Sequence, residues 1–392
     1  MRLLAISRQR RRPAILAAGL TTLAVVAVTM SAPSTSAATP LSGNPESGSL
    51  SASPTSPAQT EQPVGYASMN GGTTGGFGAE VVHEYTLSEY WPGAGYSNPG
   101  DAVYDLIKEH DDRPSNEGLV IYVDQTIRSS EFSDAKMHVN DVENVSILGV
   151  GTQGEFDGVG LSLRNSHNVV IRNLRIHHVD TGERDGITVQ KLSSNVWIDH
   201  NEIYNVFQGV DKDYYDGLID IKDGARYVTV SWNHLHDSWK TGLTAGGDSA
   251  SSAGDYITYA NNWFQNVNSR VPLIRRSHVH MLNNYFQDVA DTAINARMGA
   301  QVLVEGNYFE NVGTGAVDEV TGDIHGPVGW FYGSNATGYW NLVDNVYVNT
   351  PNEHLKSTTD FTVPYAYDAL SPTNARTQVI QNAGIGVVNV TP

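Results

Sequence analysis

One repeated pattern constrains this chain more than any other feature. Compare NVSILGVG from Asn144, NVVIRNLRI from Asn168 and NVWIDHNEI from Asn195 with YVTVSWNHL from Tyr227, YITYANNWF from Tyr256, HVHMLNNYF from His278 and QVLVEGNYF from Gln301. Each is a short β-rich run, then an Asn or small polar residue, then a second apolar pair. The second residues are Val145, Val169, Val196, Val228, Ile257, Val279 and Val302, at spacings of 24, 27, 32, 29, 22 and 23. Apolar residues alternate with period two, which is the signature of strands rather than helices. Short strands with polar corners, recurring at about 22 residues, fit stacked coils in which each strand pairs with the coils above and below. The expected fold is all-β, a right-handed parallel β-helix. A leucine-rich horseshoe needs regular Leu spacing and a helix per repeat, and a propeller needs a period of about 40; neither is visible.

The pattern assigns positions within a coil. Val196 and Ile198, Val228 and Val230, and Val302 and Val304 are expected to point inward as apolar columns. Asn201, Asn233, Asn262, Asn284 and Asn307 share one register position and predict an internal amide ladder at a corner. The long spacings of 32 and 29 predict insertions around 205–216 and 245–254, and solenoids place such insertions as loops on one face, often the binding face.

Outside the repeat the chain changes character. Arg2, Arg8, Arg10, Arg11 and Arg12 precede an apolar run to Met30 and small residues through Ala38. That order predicts a secretory signal peptide over 1–38 and an extracellular product. Ser, Pro, Thr and Gly dominate the next stretch, so 39–63 is expected to be a disordered linker. One catalytic domain is expected over 64–392, with its tail, 351–392, along the outside of the solenoid. No cysteine is present among the 392 residues, which excludes thiol catalysis and cysteine metal sites. A domain of this size is stable by burial alone.

The formal charge is −18. Nucleic-acid binding is disfavoured by that sign, and neither stable membrane association nor oligomerisation is expected. The bases are nevertheless clustered: Lys222, Arg226, Lys240, Arg270, Arg275 and Arg276 fall within 55 residues. Acids precede them, Glu183 and Asp185 before one coil strand and Asp216 and Asp220 before the next. Carboxylates at spacings of two and four can share a face. Several held close together repel unless they hold a hard cation, and an oxygen-only set favours calcium over zinc. Stacking turns acids, then Lys, then two Arg into a strip suited to an extended anionic polymer.

GYASMNGGTTGG from Gly65, IYVDQTI from Ile121, NVWIDHNEIYN from Asn195, DGLIDIKDGARYVTVSWN from Asp216 and NSRVPLIRR from Asn268 together resemble the pectate lyase family of polysaccharide lyases. The resemblance runs from about residue 65 to about 350. It implies cleavage of polygalacturonate by calcium-assisted β-elimination. It places Asp185, Asp216 and Asp220 at calcium-binding positions, and Glu183 at another where an aspartate is familiar. It makes Arg270 the Brønsted base, Lys240 and Arg275 binders of substrate carboxylates, and Lys222, a basic residue beside the site, a further substrate-binding residue. Asp199 and His200 are read as packing and hydrogen-bonding residues. An arginine base is normally protonated; neighbouring cations disfavour its charged form, so an alkaline optimum is expected. The alternatives are a pectin lyase acting on methyl-esterified substrate, for which the acids have no purpose, a β-helix polygalacturonase, which needs paired carboxylates, and a non-catalytic carbohydrate-binding β-helix.

Overall fold

The computed structural model describes residues 61–314, 325–331, 333–351 and 355–392. The expected signal peptide and the linker up to residue 60 lie outside them. Among the described residues the chain winds through three parallel sheets of ten, nine and eight strands, visited in the same order on every turn from strand Glu117–Val123 onward. The architecture is a right-handed parallel β-helix.

Register in the first sheet follows the repeat. Val145 pairs with Val169, Val169 with Val196, Val196 with Val228, Val228 with Ile257, Ile257 with Val279 and Val279 with Val302. All seven are buried, as are Ile198, Val230 and Val304. Each residue thus stacks on its counterpart one coil away, and a continuous apolar column forms the core. Phe264, Phe286 and Phe309 make a second column of stacked rings inside the second sheet.

The corner between the first and second sheets holds the amide ladder. Asn201 Nδ2 donates to Asn233 Oδ1 at 2.9 Å, and Asn233 to Asn262, Asn262 to Asn284 and Asn284 to Asn307 at 3.0 Å each. Asn345, absent from the expected set, continues it. Each Oδ1 also accepts the backbone N–H of the preceding rung, and each Nδ2 also donates to a first-sheet carbonyl. The ladder amides therefore turn the corner with their own buried polar groups met.

Helix Pro99–Asp111 buries Ala102, Val103, Leu106 and Ile107 against the first coil and closes that end of the core. Asn98 caps it, its side chain accepting the Asp101 N–H. Two segments lie across the outer face of the first sheet. The GYASMNGGTTGG stretch crosses coil by coil: Tyr66 N–H donates to Thr258, Ala67 to Thr229, Gly75 to Asn168 and Gly76 to Ser146. A Cβ on Gly75 would sit 2.1 Å from Ser146 Oγ, and Gly75 has φ +60°, so glycine is needed for close approach and conformation alike. The C-terminal segment runs outside the solenoid too. Tyr365 bonds His280 and Leu370 N–H donates to Asn283; helix Pro372–Asn382 then packs on strands Tyr285–Val289 and Tyr308–Val312 of the second sheet, and Gly386 N–H donates to Asn173. Val390 is buried with Val120, Tyr122, Leu148, Val170 and Trp197.

Candidate active site

The expected site residues gather where the chain passes from the second sheet to the third. Asp185 lies two residues before strand Ile187–Gln190, and Asp220 lies within strand Ile219–Ile221 on the next coil. These strands pair Ile187 with Ile219, which brings the two carboxylates together. Both are buried. Lys222 Nζ bridges them, 3.4 Å from Asp185 and 3.2 Å from Asp220. Asp185 also accepts from Thr188 Oγ1 and Gly217 N–H, at 2.9 Å each.

One ammonium does not neutralise this pair. Burial first, and Asp185 second, push Asp220 up to about 7, with Lys222 pulling the other way and Asp216 adding to the rise. Burial also raises Asp185, against Lys222. The Asp220 Oδ1 atom is buried with no hydrogen-bond partner. Such an atom is costly in an otherwise hydrogen-bonded interior, and a hard cation coordinated by oxygen meets its need. The donor set thus fits calcium.

Asp216 is more open and carries the link to the bases. Its Oδ1 is 3.4 Å from Lys240 Nζ and 3.8 Å from Arg270 Nη1. Lys240 closes strand His234–Lys240, and Arg270 directly follows the neighbouring strand, Trp263–Ser269. Arg270 has φ +57°, a left-handed conformation unfavourable for a side chain with a Cβ. Adjacent coils fix it there: its carbonyl accepts from Gly242 N–H at 2.8 Å, and Val271 N–H donates to Ala293 at 3.0 Å. The Val271–Pro272 peptide is cis.

Two expected residues stand apart. Glu183 is exposed and turned to the previous coil, where it pairs with Lys136. Burial opposes ionisation, yet the Lys136 ammonium holds Glu183 below its usual value. Arg275 Nε lies 2.8 Å from Asp248, and its Nη1 donates to the Ala245 carbonyl at 3.1 Å.

Sequence reasoning missed the acids that hold these bases. Asp213 Oδ1 is 2.7 Å from Lys240 Nζ, and Lys240 and Lys212 together hold Asp213 down at about 2. Asp213 and Asp248 sit in the two long loops expected around 205–216 and 245–254. The spacing announced the loops; nothing in it announced that each would send a carboxylate to a base. Asp199 is buried elsewhere, on the outer face of the first sheet. It is 2.9 Å from Arg172 and accepts from Ser231 at 2.6 Å, with His200 at 2.6 Å. This is packing and hydrogen bonding, away from the acids and bases above.

Known proteins share the sequence and fold of this chain. The family model described as pectate lyase matches residues 47–388. A pectate trisaccharide-lyase of Bacillus licheniformis is 42% identical over 326 residues, 83% of this chain and 86% of that protein. Pectate lyase A of Emericella nidulans is 35% identical over 82% of this chain and 85% of its own length. A crystal structure of a pectate lyase from Bacillus sp. N165 in complex with trigalacturonate superposes with a TM-score of 0.76 at 52% identity, covering 83% of this chain and 99% of that one. With both the solenoid and most of its sequence shared, the chain belongs to the pectate lyase family and is a polysaccharide lyase.

Proposed function

We propose that this chain is a secreted enzyme that cleaves polygalacturonate by calcium-assisted β-elimination, with Arg270 as the base. The buried Asp185–Asp220 pair, with one unpartnered oxygen and Asp216 linking it to Lys240 and Arg270, supports this reading above all else.

The difficulty of the reaction lies in the C5 proton of a galacturonate unit. It is weakly acidic, and the adjoining carboxylate opposes a second negative charge beside it. Calcium, held by Asp185, Asp216 and Asp220, supplies when bound a positive charge that offsets this carboxylate. Lys240 and Arg275 bind substrate carboxylates in place of Asp213 and Asp248. Lys222 holds the acid pair in position. Arg270, in its neutral form, takes the C5 proton. The C5–H electrons become the C4–C5 double bond, the C4–O bond breaks, and the departing oxygen takes a proton from water. No water attacks carbon, so a hydrolytic carboxylate pair is unnecessary. Glu183 is a further ligand only if it leaves Lys136. Secretion is read from residues 1–38.

The test is ultraviolet absorbance during incubation with polygalacturonate, in calcium and in excess chelator. Elimination conjugates the new double bond to the carboxylate, so absorbance rises in calcium and stays flat in chelator. Chain shortening without absorbance would replace elimination by hydrolysis. Equal rates in chelator, with methyl-esterified pectin preferred, would point to a pectin lyase.

A further inference from the structure

The outer face of the second sheet carries a histidine cluster that the reaction does not use. His234 and His236 lie two apart in strand His234–Lys240, with Leu235 buried between them, so both rings project outward from the sheet. Glu202, on the neighbouring strand Glu202–Tyr204, is in register with His234. One ring nitrogen from each histidine and one carboxylate oxygen of Glu202 lie within 4.8 Å of one another.

Hydrogen bonding decides which atoms remain free. The other nitrogen of His236, Nδ1, is 2.7 Å from Asp237 Oδ2. A carboxylate only accepts, so Nδ1 carries a proton, and in the neutral imidazole Nε2 is the nitrogen with the free lone pair. That Nε2 is buried with no hydrogen-bond partner, and Glu202 Oε1, at 3.7 Å, is too distant for a hydrogen bond. Two amides fix the His234 tautomer. The Trp263 indole, which only donates, is 3.1 Å from Gln287 Oε1. Gln265 turns its Nε2 to that same oxygen and its Oε1 to His234 Nε2, 2.9 Å away. His234 Nε2 is therefore the donor, and Nδ1 holds the lone pair. Arg175 grips Oε2 of Glu202 at 2.8 Å, which leaves Oε1 facing His236.

We propose that Glu202, His234 and His236 form a second metal site, for a first-row divalent transition ion such as zinc, separate from the calcium site. Two imidazoles and a carboxylate are donors that such ions take and that calcium does not seek out. Each histidine has its second nitrogen anchored, on Asp237 or Gln265, the outer support that metal-bound imidazoles typically have. The three side chains keep some exposure, so water completes the coordination. The ion joins two successive coils, and it does so on the strand that ends in Lys240.

Asp157, His177 and His178 make a rival group two coils away on the same sheet. There His177 Nδ1 and His178 Nδ1 already face each other at 2.7 Å. One of these nitrogens donates to the other, so the pair offers fewer free lone pairs.

Calorimetric titration of the full chain with zinc, in saturating calcium and without pectate, tests the proposal. One equivalent of zinc is expected to bind. His234→Gln and His236→Gln should each weaken it by at least about tenfold, and Asp237→Asn by about ten- to a hundredfold. His178→Gln should leave it unchanged. Cobalt in place of zinc should give visible absorption in the native protein that His236→Gln removes. Circular dichroism and calcium-dependent lyase activity report whether each variant folds. If Gln at 234 or 236 prevents folding, Asp237→Asn and the cobalt spectrum of the native protein still decide. The absence of zinc binding overturns the site, as does binding untouched by the 234 and 236 variants. Loss of zinc binding in His178→Gln alone moves the ion to the rival group.

Discussion

Asp220 spends one oxygen on the Lys222 ammonium and leaves the other without a donor. Its folded-state value, about 7, is above the ordinary 3.8. Well below pH 3.8 the carboxyl is neutral whether the chain is folded or not. Between about 4 and about 7 the unfolded chain releases this proton first, so the contribution of Asp220 to stability falls as pH rises. In chelator, the Tm of Asp220→Asn minus that of the native protein should therefore grow across that window. Calcium should raise the native Tm at pH 8 and leave that of Asp220→Asn unmoved, because only a ligand that binds the folded state stabilises it. Equal calcium shifts in the two proteins would remove Asp220 from the cation site. Arg270→Lys keeps a positive charge beside Asp216 but changes the geometry of the base. It should lower kcat by at least about a hundredfold with circular dichroism unchanged, whereas a near-native rate would move the base elsewhere. The native pH–rate profile should peak on the alkaline side, and a peak below neutrality would contradict an arginine base.

At the scale of elements, the coils and the loops between them were unequally legible. The Val and Asn columns were readable because a stacked coil repeats one environment at one register, and identical environments select identical side chains. The acids and bases were readable because chain order becomes spatial order in a stack. The partners of Lys240 and Arg275 were not, since Asp213 and Asp248 belong to loops that repeat nothing. Glu183 showed the same limit: its local spacing suited the acid cluster, while its contact, Lys136, lies 47 residues away. The loop acids hold the positions proposed for substrate carboxylates, so Asp213→Asn should lower KM by about two- to fivefold, the scale of an exposed ion pair, with kcat nearly constant. An unchanged KM would show that Asp213 does not compete with substrate. In the ladder, Asn262→Ala deprives Asn233 of its acceptor and the Val230 carbonyl of its donor. Buried groups left in this state cost about 1–3 kcal/mol each, so the urea midpoint should fall clearly, and a midpoint within error of native would deny the ladder a stabilising role.

The whole molecule is more than a pile of coils. In a plain solenoid each coil contacts only its neighbours, and folding propagates along the stack. Here the Gly65–Gly76 crossing binds Thr258 to Ser146 through one stretch of chain, and the C-terminal segment reaches from His280 to Asn173 by way of helix Pro372–Asn382 on the second sheet. The Tyr66–Thr258 bond alone spans 192 residues. Gly75→Ala should loosen the crossing, because the added methyl meets Ser146 Oγ. It should lower Tm while leaving the lyase site, on another face, with a near-native rate at low temperature. Both crossings have a mechanical consequence. Each lies toward an end of the chain, on the outside, and is held by hydrogen bonds and by small packed clusters such as that of Val390. If the two termini are drawn apart by force, these outer bands peel first and the wound interior yields only afterwards, so an extension trace should begin with early low-force steps before the coils unwind.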